Sequence, residues 1–372
     1  MKIAIYQPRV SYYVGGGEVV PLEMARNFAL HGHKVTVVTS RHPDGNSEYF
    51  DKYLSVNPSV EVIYLELPTS LRWIYEEKPG TNQLRWDYEA IHMGRLAQNY
   101  FDKNIYDVLN VHYNVDILAA NIKFPAVMFL HGVPAEAEYY DKIWFSFPNV
   151  KYISVSKYIG QKWSEMVGGI EYIPFTNGID TTNYHPIQVT KDIDILYFGR
   201  LVPVKGVNYL VDAVKILVNK GLNPKVVIAG KGNQKESLVE LVDRLELSDN
   251  IEFIGYVPQE DVLSLYNRSK VFSAPSFDRE GVLTTMLEAA ACGIPTVTTN
   301  SCSMPEFVDH GVNGLLANPR DAVSLATEIE KLLLDETLRN TIGDEARKKS
   351  ETWNWDIKAM NLENYFENAI KE

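Results

Sequence analysis

Residues Ser276–Thr298 read SFDREGVLTTMLEAAACGIPTVT, and this stretch brings two carboxylates, a glycine and a helix start close together. It follows the apolar run Val271–Pro275, which predicts a buried strand. Glu280 comes just after that strand, on a loop. Glu288 comes eight positions later, among the good helix formers of Met286–Ala291. A strand, a loop and a helix in this order predict one unit of a parallel α/β sheet, with both carboxylates beyond the carboxyl end of its strand.

Two interpretations of these carboxylates are open from this stretch alone. If Thr284 or Thr285 caps the helix, its first N–H groups and positive dipole end face the same crevice as both carboxylates, which suits a ligand with phosphate and hydroxyl groups. In the other interpretation, Thr285 and Glu288 form a capping box. Glu280 is then an ordinary solvated acid of a surface loop. The choice between them depends on the rest of the chain.

The composition is that of a globular chain with an excess of negative charge. Its 372 residues are 45% hydrophobic and carry a formal net charge of −12, so we expect two domains with full cores and no nucleic-acid partner. The two cysteines, Cys292 and Cys302, fit a reducing compartment, and no Cys/His spacing predicts a zinc site. The run Met1–Tyr6 is strand-like rather than a signal-peptide core, and no apolar stretch reaches about 18 residues. These features predict a cytoplasmic protein.

Short apolar runs alternate with helix-like segments along the chain. The pattern stops at a polar linker, Pro174–Asp192, and then starts again, which predicts an α/β fold with two doubly wound parallel sheets. We place the first domain at residues 1–180 and the second at 181–352. Residues 353–372 predict an amphipathic closing helix, whose buried candidates are Trp355, Met360, Tyr365 and Phe366. The predicted strands are 2–7, 35–39, 60–65, 107–111, 126–130, 193–198, 225–229, 251–254, 271–274 and 295–299.

Two cations follow the first strand of the second half, in Gly199-Arg200-Leu-Val-Pro-Val-Lys205-Gly206. A guanidinium gives forked hydrogen bonds to phosphate, and an ammonium gives a compact charge. Together they can neutralise an anionic leaving group such as a diphosphate without a metal. A pair of surface cations near a turn is the alternative interpretation.

Three glycine-containing segments also follow predicted strands. Gly15, Gly16 and Gly17 open the first helix and form either a phosphate cradle or a plain turn. The segment Gly230-Lys-Gly232 lets the backbone approach a ligand closely, but it lacks the third glycine of a dinucleotide fingerprint. The segment Phe253-Ile-Gly255-Tyr256-Val257 can contact a base through main-chain groups or serve the fold alone.

Histidines and an acidic pair complete the candidates. His131 follows the strand Val127–Leu130 and can contact a substrate, although a single histidine can equally be structural. His112 has the same two interpretations, of which we favour the structural one. Asp192-Ile-Asp194 has the form of a metal motif, but it precedes a strand at the amino edge of the sheet, away from the expected ligand side. We therefore expect no metal site there.

In this order, the motifs resemble the retaining glycosyltransferase family 4. The resemblance covers nearly the whole chain, and its most specific part is Glu280-x7-Glu288 behind the two-cation motif. Val282-Leu283 departs from the family pattern, which often has an aromatic residue and then glycine or proline. The motifs that carry the resemblance are Gly15-Gly16-Gly17, His131, Asn177-Gly-Ile-Asp180 with Pro186, Gly199-Arg200 with Lys205-Gly206, Gly230-Lys-Gly232, Phe253-Ile-Gly255, and Glu280-x7-Glu288 with Ala289-x-Ala291-x-Gly293-x-Pro295.

The resemblance implies a GT-B architecture, in which two Rossmann-like doubly wound parallel-sheet domains face each other across a cleft and the last helix returns to the first domain. It implies that Arg200 and Lys205 contact the diphosphate of a nucleotide-sugar donor. Glu288 would contact the ribose of that donor, and Glu280 and His131 the transferred sugar. The other donor-binding residues that it implies are Gly15, Gly16, Gly17, Gly199, Gly230, Gly255, Tyr256, Val257, Gly281, Val282, Leu283 and Thr284. It implies no cofactor and no metal.

The implied activity is retaining transfer of a hexose from a nucleotide sugar, with UDP-glucose as the expected donor, to a sugar, glycan or lipid-linked acceptor. A nucleotide-sugar epimerase of the same architecture and a binding module without turnover are the alternatives. A nicotinamide dehydrogenase is disfavoured because no complete Gly-x-Gly-x-x-Gly follows an early strand.

Aromatic residues beside arginines lie at Leu71–Tyr75 and Leu84–Trp86, and a further aromatic cluster lies at Trp144–Phe147. These segments either pack in the core or line an acceptor groove. In the second case they can touch the inner face of a membrane that carries a lipid-linked acceptor. The general tendency of aromatic side chains to be buried favours core packing.

Overall fold

A computed structural model of the chain describes residues 1–13, 15–76, 83–134, 145 and 147–371, apart from the side chains of residues 16, 83, 84, 86, 114 and 115. Contacts between residues divide the chain into two units. Unit 1 comprises Met1–Thr176 and Trp355–Glu372, and unit 2 comprises Asn177–Asn354. The sequence-based boundaries, at residues 180 and 353, differ from these by a few residues. Within the described ranges, no helix is long and apolar enough to cross a membrane.

The sheet of unit 1 is formed by strands β1 to β7, at Lys2–Tyr6, Lys34–Ser40, Glu61–Leu65, Val108–His112, Ala126–Leu130, Val150–Ser154 and Tyr172–Pro174. All seven strands are parallel, in the order β3-β2-β1-β4-β5-β6-β7. Among the described residues, its helices are Gly16–Leu30, Glu48–Val56, Trp73–Glu76, Gln83–Phe101, Lys157–Val167 and Trp355–Lys371, with 3₁₀ segments at Thr69–Leu71 and Asn114–Ala120. The strand order reverses between β1 and β4, where such sheets have a crevice at their carboxyl edge.

The central strands of unit 1 are continuous runs rather than alternating ones. Every residue of β4 (VLNVH) and of β5 (AVMFL) is buried, as expected for parallel strands that are covered on both faces. Asn110 and His112 are the polar residues of β4. A buried polar side chain is costly unless it is hydrogen-bonded, so both require partners inside the unit.

The sheet of unit 2 repeats this plan with strands β8 to β13, at Ile193–Phe198, Val226–Ala229, Ile251–Gly255, Ser269–Ala274, Thr296–Thr299 and Gly314–Ala317. Its six parallel strands follow the order β10-β9-β8-β11-β12-β13, so β8 and β11 occupy the places of β1 and β4. Its helices are Val207–Asn219, Lys235–Arg244, Gln259–Asn267, Thr284–Ala291, Met304–Phe307, Ala322–Leu334 and Glu336–Thr352, with a 3₁₀ turn at Pro203–Lys205. The two sheets confirm the predicted fold class.

The last helix, Trp355–Lys371, packs on the first helix of unit 1. The rings of Phe28 and Phe366 lie 5.5 Å apart, and both side chains are fully buried. The buried residues of the last helix are Trp355, Ala359, Leu362, Phe366 and Ala369. Tyr365 is partly buried against the same core. The prediction that Met360 is buried is wrong: it is 53% exposed, because the spacing of the buried residues leaves position 360 outside the apolar face.

The aromatic segments of unit 1 pack largely on its core. Leu71, Trp73, Tyr75, Phe145 and Phe147 are partly buried against it. Phe145 also stacks on Tyr152 and Trp163, with ring centroids 4.9 Å and 5.1 Å away. Trp144 lies outside the described residues, as do the side chains of Leu84 and Trp86. The contacts of the described members are those of core packing.

Candidate functional site

The loops after β8, β9, β10 and β11 meet at the carboxyl edge of the second sheet. We call residues 199–206, 230–232, 255–257 and 275–284 the unit 2 rim. The N–H of Gly199 donates to Ala229 O at 3.0 Å, and the N–H of Gly230 donates to Gly255 O at 2.6 Å. A Cβ atom on Gly230 would lie 1.8 Å from Gly199 O, and φ of Gly230 is +133°. Gly199 and Gly230 therefore allow neighbouring loops to approach closely, and their N–H groups already donate hydrogen bonds to main-chain carbonyls.

A second glycine contact brings a lysine to a glutamate. Gly206 ends the 3₁₀ turn with φ +66°, and a Cβ there would lie 2.3 Å from Pro275 O. The N–H of Phe277 donates to Val204 O at 3.1 Å, so the loops after β8 and β11 are joined. Lys205 Nζ then lies 3.0 Å from Glu280 Oε1, with side chains 11% and 14% exposed. This ion pair is shielded but still reached by solvent.

Both predicted cations contribute to the field at this pair. Burial lowers the pKa of Lys205, Glu280 opposes that shift, and the nearby charge of Arg200 lowers the pKa further. The side chain of Arg200 is exposed, and its carbonyl accepts from Tyr197 Oη at 2.7 Å. The unit 2 rim therefore holds a shielded ammonium, an exposed guanidinium and one carboxylate, a combination that can bind a polyanion bearing hydroxyl groups.

The helix Thr284–Ala291 begins at the rim without a side-chain cap. Its N-cap residue is Leu283, whose carbonyl accepts from the N–H groups of Met286 and Leu287. Neither Thr284 nor Thr285 is the N-cap, because the helix already starts at Thr284. Because no side chain caps the helix, the N–H groups of Thr284 and Thr285 keep their capacity for an anion.

The residues just before this helix differ in what they can offer a ligand. Gly281 and Leu283 are partly exposed, whereas the side chain of Val282 is buried in the core of unit 2. Of Val282, only the main chain can therefore contact a ligand. The carbonyl of Glu280 accepts from Ser303 Oγ at 2.9 Å, which anchors the loop.

Glu288 lies on the same helix and is held by tyrosines. Tyr266 Oη donates to Glu288 Oε2 at 2.7 Å. Burial raises the pKa of Glu288 to about 7, and hydrogen bonds from Tyr266 and Tyr184 oppose the shift. The capping-box interpretation is wrong, since Glu288 contacts these tyrosines and not its own helix start. Neither tyrosine was a candidate, because their pairing with Glu288 joins distant segments and leaves no local pattern.

The segment expected to contact a base forms one side of a surface cavity. Tyr256 is 67% exposed and has Lys231 Nζ 5.2 Å from its ring centroid, whereas Val257 is buried. A cavity of about 310 Å³ lies beside them, lined also by Ile254, Asp261 and Arg268. A larger cavity of about 460 Å³ lies around Lys225 and Asn250, at the amino ends of β9 and β10 and away from the rim.

In unit 1, the glycine segment meets the ends of β4 and β5. Gly15 is the N-cap of the helix that begins at Gly16. A Cβ atom on Gly17 would lie 1.5 Å from Tyr113 Oη, so any side chain there would have to displace the ring of Tyr113. Tyr113 has φ +72°, a strained value for a non-glycine residue, and its ring centroid lies 5.0 Å from that of His131. Tyr113 was not predicted from the sequence.

His131 is partly buried and contacts a second histidine. His131 Nε2 lies 2.7 Å from His112 Nδ1, and His112 Nε2 lies 2.9 Å from Asn110 Oδ1. Burial lowers the pKa of His131 to about 4 and that of His112 well below its usual range. Both imidazoles are therefore neutral at pH 7, and the structural interpretation of His112 includes direct support of His131.

A buried ionic cluster lies beneath the glycine segment. Arg9 Nη1 and Nη2 donate to Asp116 at 2.7 Å and 3.1 Å, and Arg9 Nε lies 3.3 Å from Glu89. Glu89 also pairs with Arg85 at 3.3 Å, and all four side chains are fully buried. Burial raises the pKa of the neighbouring Glu18 to about 7. Arg9 was not a candidate, because its partners lie in distant segments of the chain.

The acidic pair of the metal motif is engaged in ion pairs. Asp192 accepts from Arg268 at 2.8 Å and 2.7 Å, and Asp194 accepts from Lys270 Nζ at 2.8 Å. Across the part of the chain that the structure describes, no group of three or more His, Cys, Asp and Glu side chains could hold a metal ion. Asp192 and Asp194 therefore join the amino end of β8 to that of the neighbouring strand β11 through ion pairs.

Two family models match the chain, one on each half. The model described as Glycosyltransferase Family 4 matches residues 14–183. The model described as Glycosyl transferases group 1 matches residues 182–349. The two matches meet at residues 182–183.

Known relatives and a solved structure agree with these matches. The capsular polysaccharide biosynthesis glycosyltransferase CapM of Staphylococcus aureus is 34% identical over 51% of this chain, which spans about half, 49%, of that relative. The uncharacterized glycosyltransferase MJ1607 of Methanocaldococcus jannaschii is 25% identical over 100% of this chain and 99% of its own. The structure of Anabaena HepE in complex with UDP-glucose has a TM-score of 0.77 at 19% identity, covering 99% of this chain and 100% of its own. The chain therefore belongs to the GT4-type glycosyltransferases and has the GT-B fold.

Proposed function

We propose that the protein transfers a hexose from a nucleoside diphosphate sugar to a sugar, glycan or lipid-linked acceptor, with retention of the anomeric configuration. The Lys205–Glu280 ion pair at the unit 2 rim carries this proposal, since Lys205 Nζ and Glu280 Oε1 are only 3.0 Å apart and remain within reach of a ligand. A diphosphate would attract the ammonium and leave the carboxylate to accept hydrogen bonds from sugar hydroxyls.

In this reaction, Lys205 and Arg200 both act on the leaving group. The bond between the anomeric carbon and the diphosphate oxygen breaks as the acceptor oxygen bonds to the same face of that carbon. The acceptor proton passes to the departing diphosphate, whose negative charge Lys205 and Arg200 stabilise. The uncapped start of the helix Thr284–Ala291 adds N–H donors on the same side. The step therefore needs no other reactant: the acceptor supplies the proton, and the departing diphosphate takes it.

UDP-glucose is the donor that we propose. Anabaena HepE, which shares the fold, holds UDP-glucose in its solved structure. Glu288 would accept from the ribose hydroxyls, and Tyr256 and Val257 would line the base. A thermal-shift comparison of UDP-, GDP- and ADP-glucose, with GDP-mannose added, tests this choice. The UDP-sugar should raise the melting temperature most, because a ligand stabilises the state that it binds.

The proposal includes no divalent cation, because the two cations of the rim neutralise the diphosphate. The rate of transfer should then be the same in EDTA as in Mg²⁺ or Mn²⁺. A dependence on either ion of more than about tenfold, which equals about 1.4 kcal/mol in the barrier, would show that a metal supplies charge which we assign to Lys205 and Arg200.

Release of nucleoside diphosphate tests the central assignment. Wild-type protein should release UDP from UDP-glucose only when an acceptor is present, apart from slow hydrolysis. Arg200→Ala should lower the rate about 100-fold, because a charge that stabilises the leaving group is lost. Arg244→Ala is the matched control, since it removes an exposed arginine at the end of the helix Lys235–Arg244. If both variants release UDP at the wild-type rate, the phosphate assignment is wrong.

Two alternative functions predict different products. An epimerase would convert the donor sugar without any acceptor, so chromatography of the sugar after incubation with donor alone distinguishes it. A binding module without turnover would bind the donor in calorimetry but release no UDP over a broad acceptor panel that includes lipid-linked sugars. For the lipid-linked class, co-sedimentation with liposomes, with and without anionic lipid, tests whether the protein reaches a membrane surface.

A further inference from the structure

Four hydroxyl side chains lie within residues 298–303, which end β12 and continue into the next loop. Strand β12 pairs with β11, and the loop after β11 carries Glu280. Each hydroxyl donates a hydrogen bond to a main-chain carbonyl of β11 or of that loop. We call this set the hydroxyl row: Thr298 Oγ1 donates to Ala274 O at 2.7 Å, Thr299 Oγ1 to Ser276 O, Ser301 Oγ to Phe277 O at 2.9 Å and Ser303 Oγ to Glu280 O at 2.9 Å.

The hydroxyl row extends the pairing of the two strands beyond the sheet. Ala274 and Thr298 are the last register partners of β11 and β12. From there on, each donor further along the chain meets an acceptor further along the chain, as in a parallel ladder. Serine and threonine hydroxyls can act in place of backbone N–H groups as donors to main-chain carbonyls. The side chains of residues 298–303 therefore fix the course of the main chain as far as Glu280.

Two residues in these segments have a left-handed backbone. Arg279 has φ +59° and Cys302 has φ +52°, values that residues with a Cβ atom disfavour. Such strain persists only where the surrounding structure holds it. Arg279 lies between the two carbonyls that Ser301 and Ser303 hold, and Cys302 lies between the two serines themselves. These two hydrogen bonds therefore hold both strained turns.

The held loop sets the geometry of the Lys205–Glu280 ion pair. At one point, the N–H of Phe277 donates to Val204 O at 3.1 Å, next to Lys205. At another, Ser303 holds the carbonyl of Glu280 itself, and Ser303 is fully buried, so solvent does not compete for its hydroxyl. The 3.0 Å distance between Lys205 Nζ and Glu280 Oε1 therefore depends on how the loop is held.

We propose that Ser301 and Ser303 are positioning residues for sugar transfer, because they hold the loop at Arg279 in the conformation that keeps Glu280 beside Lys205. The reaction rests on the proposed function, whereas the anchoring of the loop does not. A carboxylate that contacts the transferred sugar must be placed accurately, since a displacement of about 1 Å can lower a rate about 100-fold. Neither serine needs to touch the substrate for this role.

Hydrolysis of UDP-glucose tests the positioning role without an acceptor. The rate of UDP release by water at saturating UDP-glucose measures kcat, and calorimetry with UDP measures binding of the nucleotide. In Ser303→Ala and in Ser301→Ala, kcat should fall about tenfold, whereas UDP, which lacks the sugar, should bind as tightly as to the wild type. Ser301→Thr keeps a hydroxyl and should recover most of kcat. A wild-type kcat in both alanine variants would overturn the positioning role.

Ser269→Ala is the matched control. Ser269 is fully buried, and its Oγ donates to Tyr266 O at 2.7 Å, but it begins β11 at the end opposite to Glu280. Loss of this hydrogen bond should lower the melting temperature by about 2 to 4 °C, as in Ser303→Ala, and should leave kcat unchanged. An equal fall of kcat in Ser269→Ala and Ser303→Ala would show that a general loosening of unit 2 lowers the rate, and would overturn the proposal.

Chemical labelling of Lys205 reports on the loop without any ligand. Burial lowers the pKa of Lys205 and Glu280 opposes that shift, so moving the carboxylate away leaves more free amine. In the double variant Ser301→Ala/Ser303→Ala, acetic anhydride at pH 8 should modify Lys205 about fivefold faster than in the wild type. Mass spectrometry of peptides measures this rate, and Glu280→Gln shows the effect of losing the carboxylate entirely. An unchanged rate in the double variant would overturn the anchoring.

The two measurements separate this proposal from the proposed function. If labelling of Lys205 rises in the double variant but the wild type releases no UDP from UDP-glucose, the proposed donor fails and the anchoring stands. If the wild type releases UDP and the double variant keeps both its kcat and its labelling rate, the proposed function stands and the positioning role of Ser301 and Ser303 is wrong.

Discussion

The two units place an ion pair at the same point of the same topology. In unit 1, Arg9 follows β1 and pairs with Asp116, which follows β4. In unit 2, Lys205 follows β8 and pairs with Glu280, which follows β11. Since β8 and β11 are the counterparts of β1 and β4, each pair spans the switch point of its sheet.

The pairs differ in how far water reaches them. Both side chains of Arg9–Asp116 are 0% exposed, whereas those of Lys205–Glu280 are 11% and 14% exposed. A sealed pair satisfies itself and cannot exchange its partner for a ligand, and removing either member leaves a buried charge. A shielded pair that solvent still reaches can be opened by a stronger anion, and we expect it to contribute less to stability than a sealed pair. The shared topology brings opposite charges together in both units. The extent of burial then determines whether an ion pair can only stabilise the fold or can also bind a substrate.

The largest effect is expected from breaking the sealed pair. Asp116→Asn has nearly the same shape but no charge, and Arg9 cannot lose its proton in response. We expect the free energy of unfolding to fall by about 3 to 5 kcal/mol, as for other buried pairs that lose one partner. Equilibrium urea denaturation at pH 7 measures this change.

Glu280→Gln is the control for the sealed pair. It makes the same change of charge in the open pair and should alter the free energy of unfolding by less than about 1 kcal/mol. Similar losses in the two variants would show that exposure does not distinguish the pairs.

The reverse contrast is expected for activity. Lys205→Met keeps the stem of the side chain but removes the ammonium, and kcat should fall about 100-fold while stability stays nearly constant. The rate of UDP release at saturating UDP-glucose measures this. A variant with normal kcat would mean that the open pair is only structural, like its counterpart in unit 1.

The contact that joins the loops of the open pair can be tested at Gly206. Gly206→Ala places a Cβ 2.3 Å from Pro275 O at a residue with φ +66° and should cost about 2 to 3 kcal/mol. Gly221→Ala is the matched control, because φ there is +87° but no atom lies within 4 Å of the new Cβ. It should cost about 1 kcal/mol, from backbone strain alone. Equal losses in urea denaturation would remove the role that we assign to the close contact.

The last prediction is a pH dependence of stability that comes from Glu288, on the helix Thr284–Ala291. Burial raises the pKa of Glu288 from 4.5 to about 7, so the folded state keeps its proton to a higher pH than the unfolded state. Stability from this group is therefore fully present below pH 4.5, falls as the pH rises towards 7 and is lost above it. Glu288→Gln lacks this dependence, so its stability relative to wild type should rise by about 2.5 kcal/mol between pH 5 and pH 8. Urea denaturation at pH 5, 6 and 8 checks the sign, and a constant difference would contradict it.

The sequence was sufficient for features that are encoded locally. Strands such as β5 are continuous apolar runs, so ten strands and the cation motif at Arg200 and Lys205 could be predicted from the chain. The strands β6, β7 and β13, which lie at or next to a sheet edge, were missed, and the predicted linker begins at Pro174, which ends β7. Local patterns also misled. Threonine is a common N-cap residue, so Thr284 was a candidate cap, but the N-cap is Leu283, whose side chain cannot accept a hydrogen bond.

Contacts between distant segments could not be predicted in this way. Arg9 and Asp116 are 107 positions apart, and Tyr266 and Glu288 are 22 apart. Such pairs form because strand order brings loops together, and nothing near either residue marks its partner. The same holds for Tyr113, whose role follows from its contact with Gly17 and His131 rather than from its neighbours in the chain.

The closing helix is the last part of the unit 1 core to be synthesised. Trp355, Ala359, Leu362 and Phe366 belong to the core of unit 1, but they leave the ribosome only after all of unit 2. Unit 2, at Asn177–Asn354, is one uninterrupted segment. Domains usually fold from the N-terminus onward as they emerge. In this chain, all of unit 2 is synthesised before unit 1 is complete, and until then Phe28 lacks its contact with Phe366.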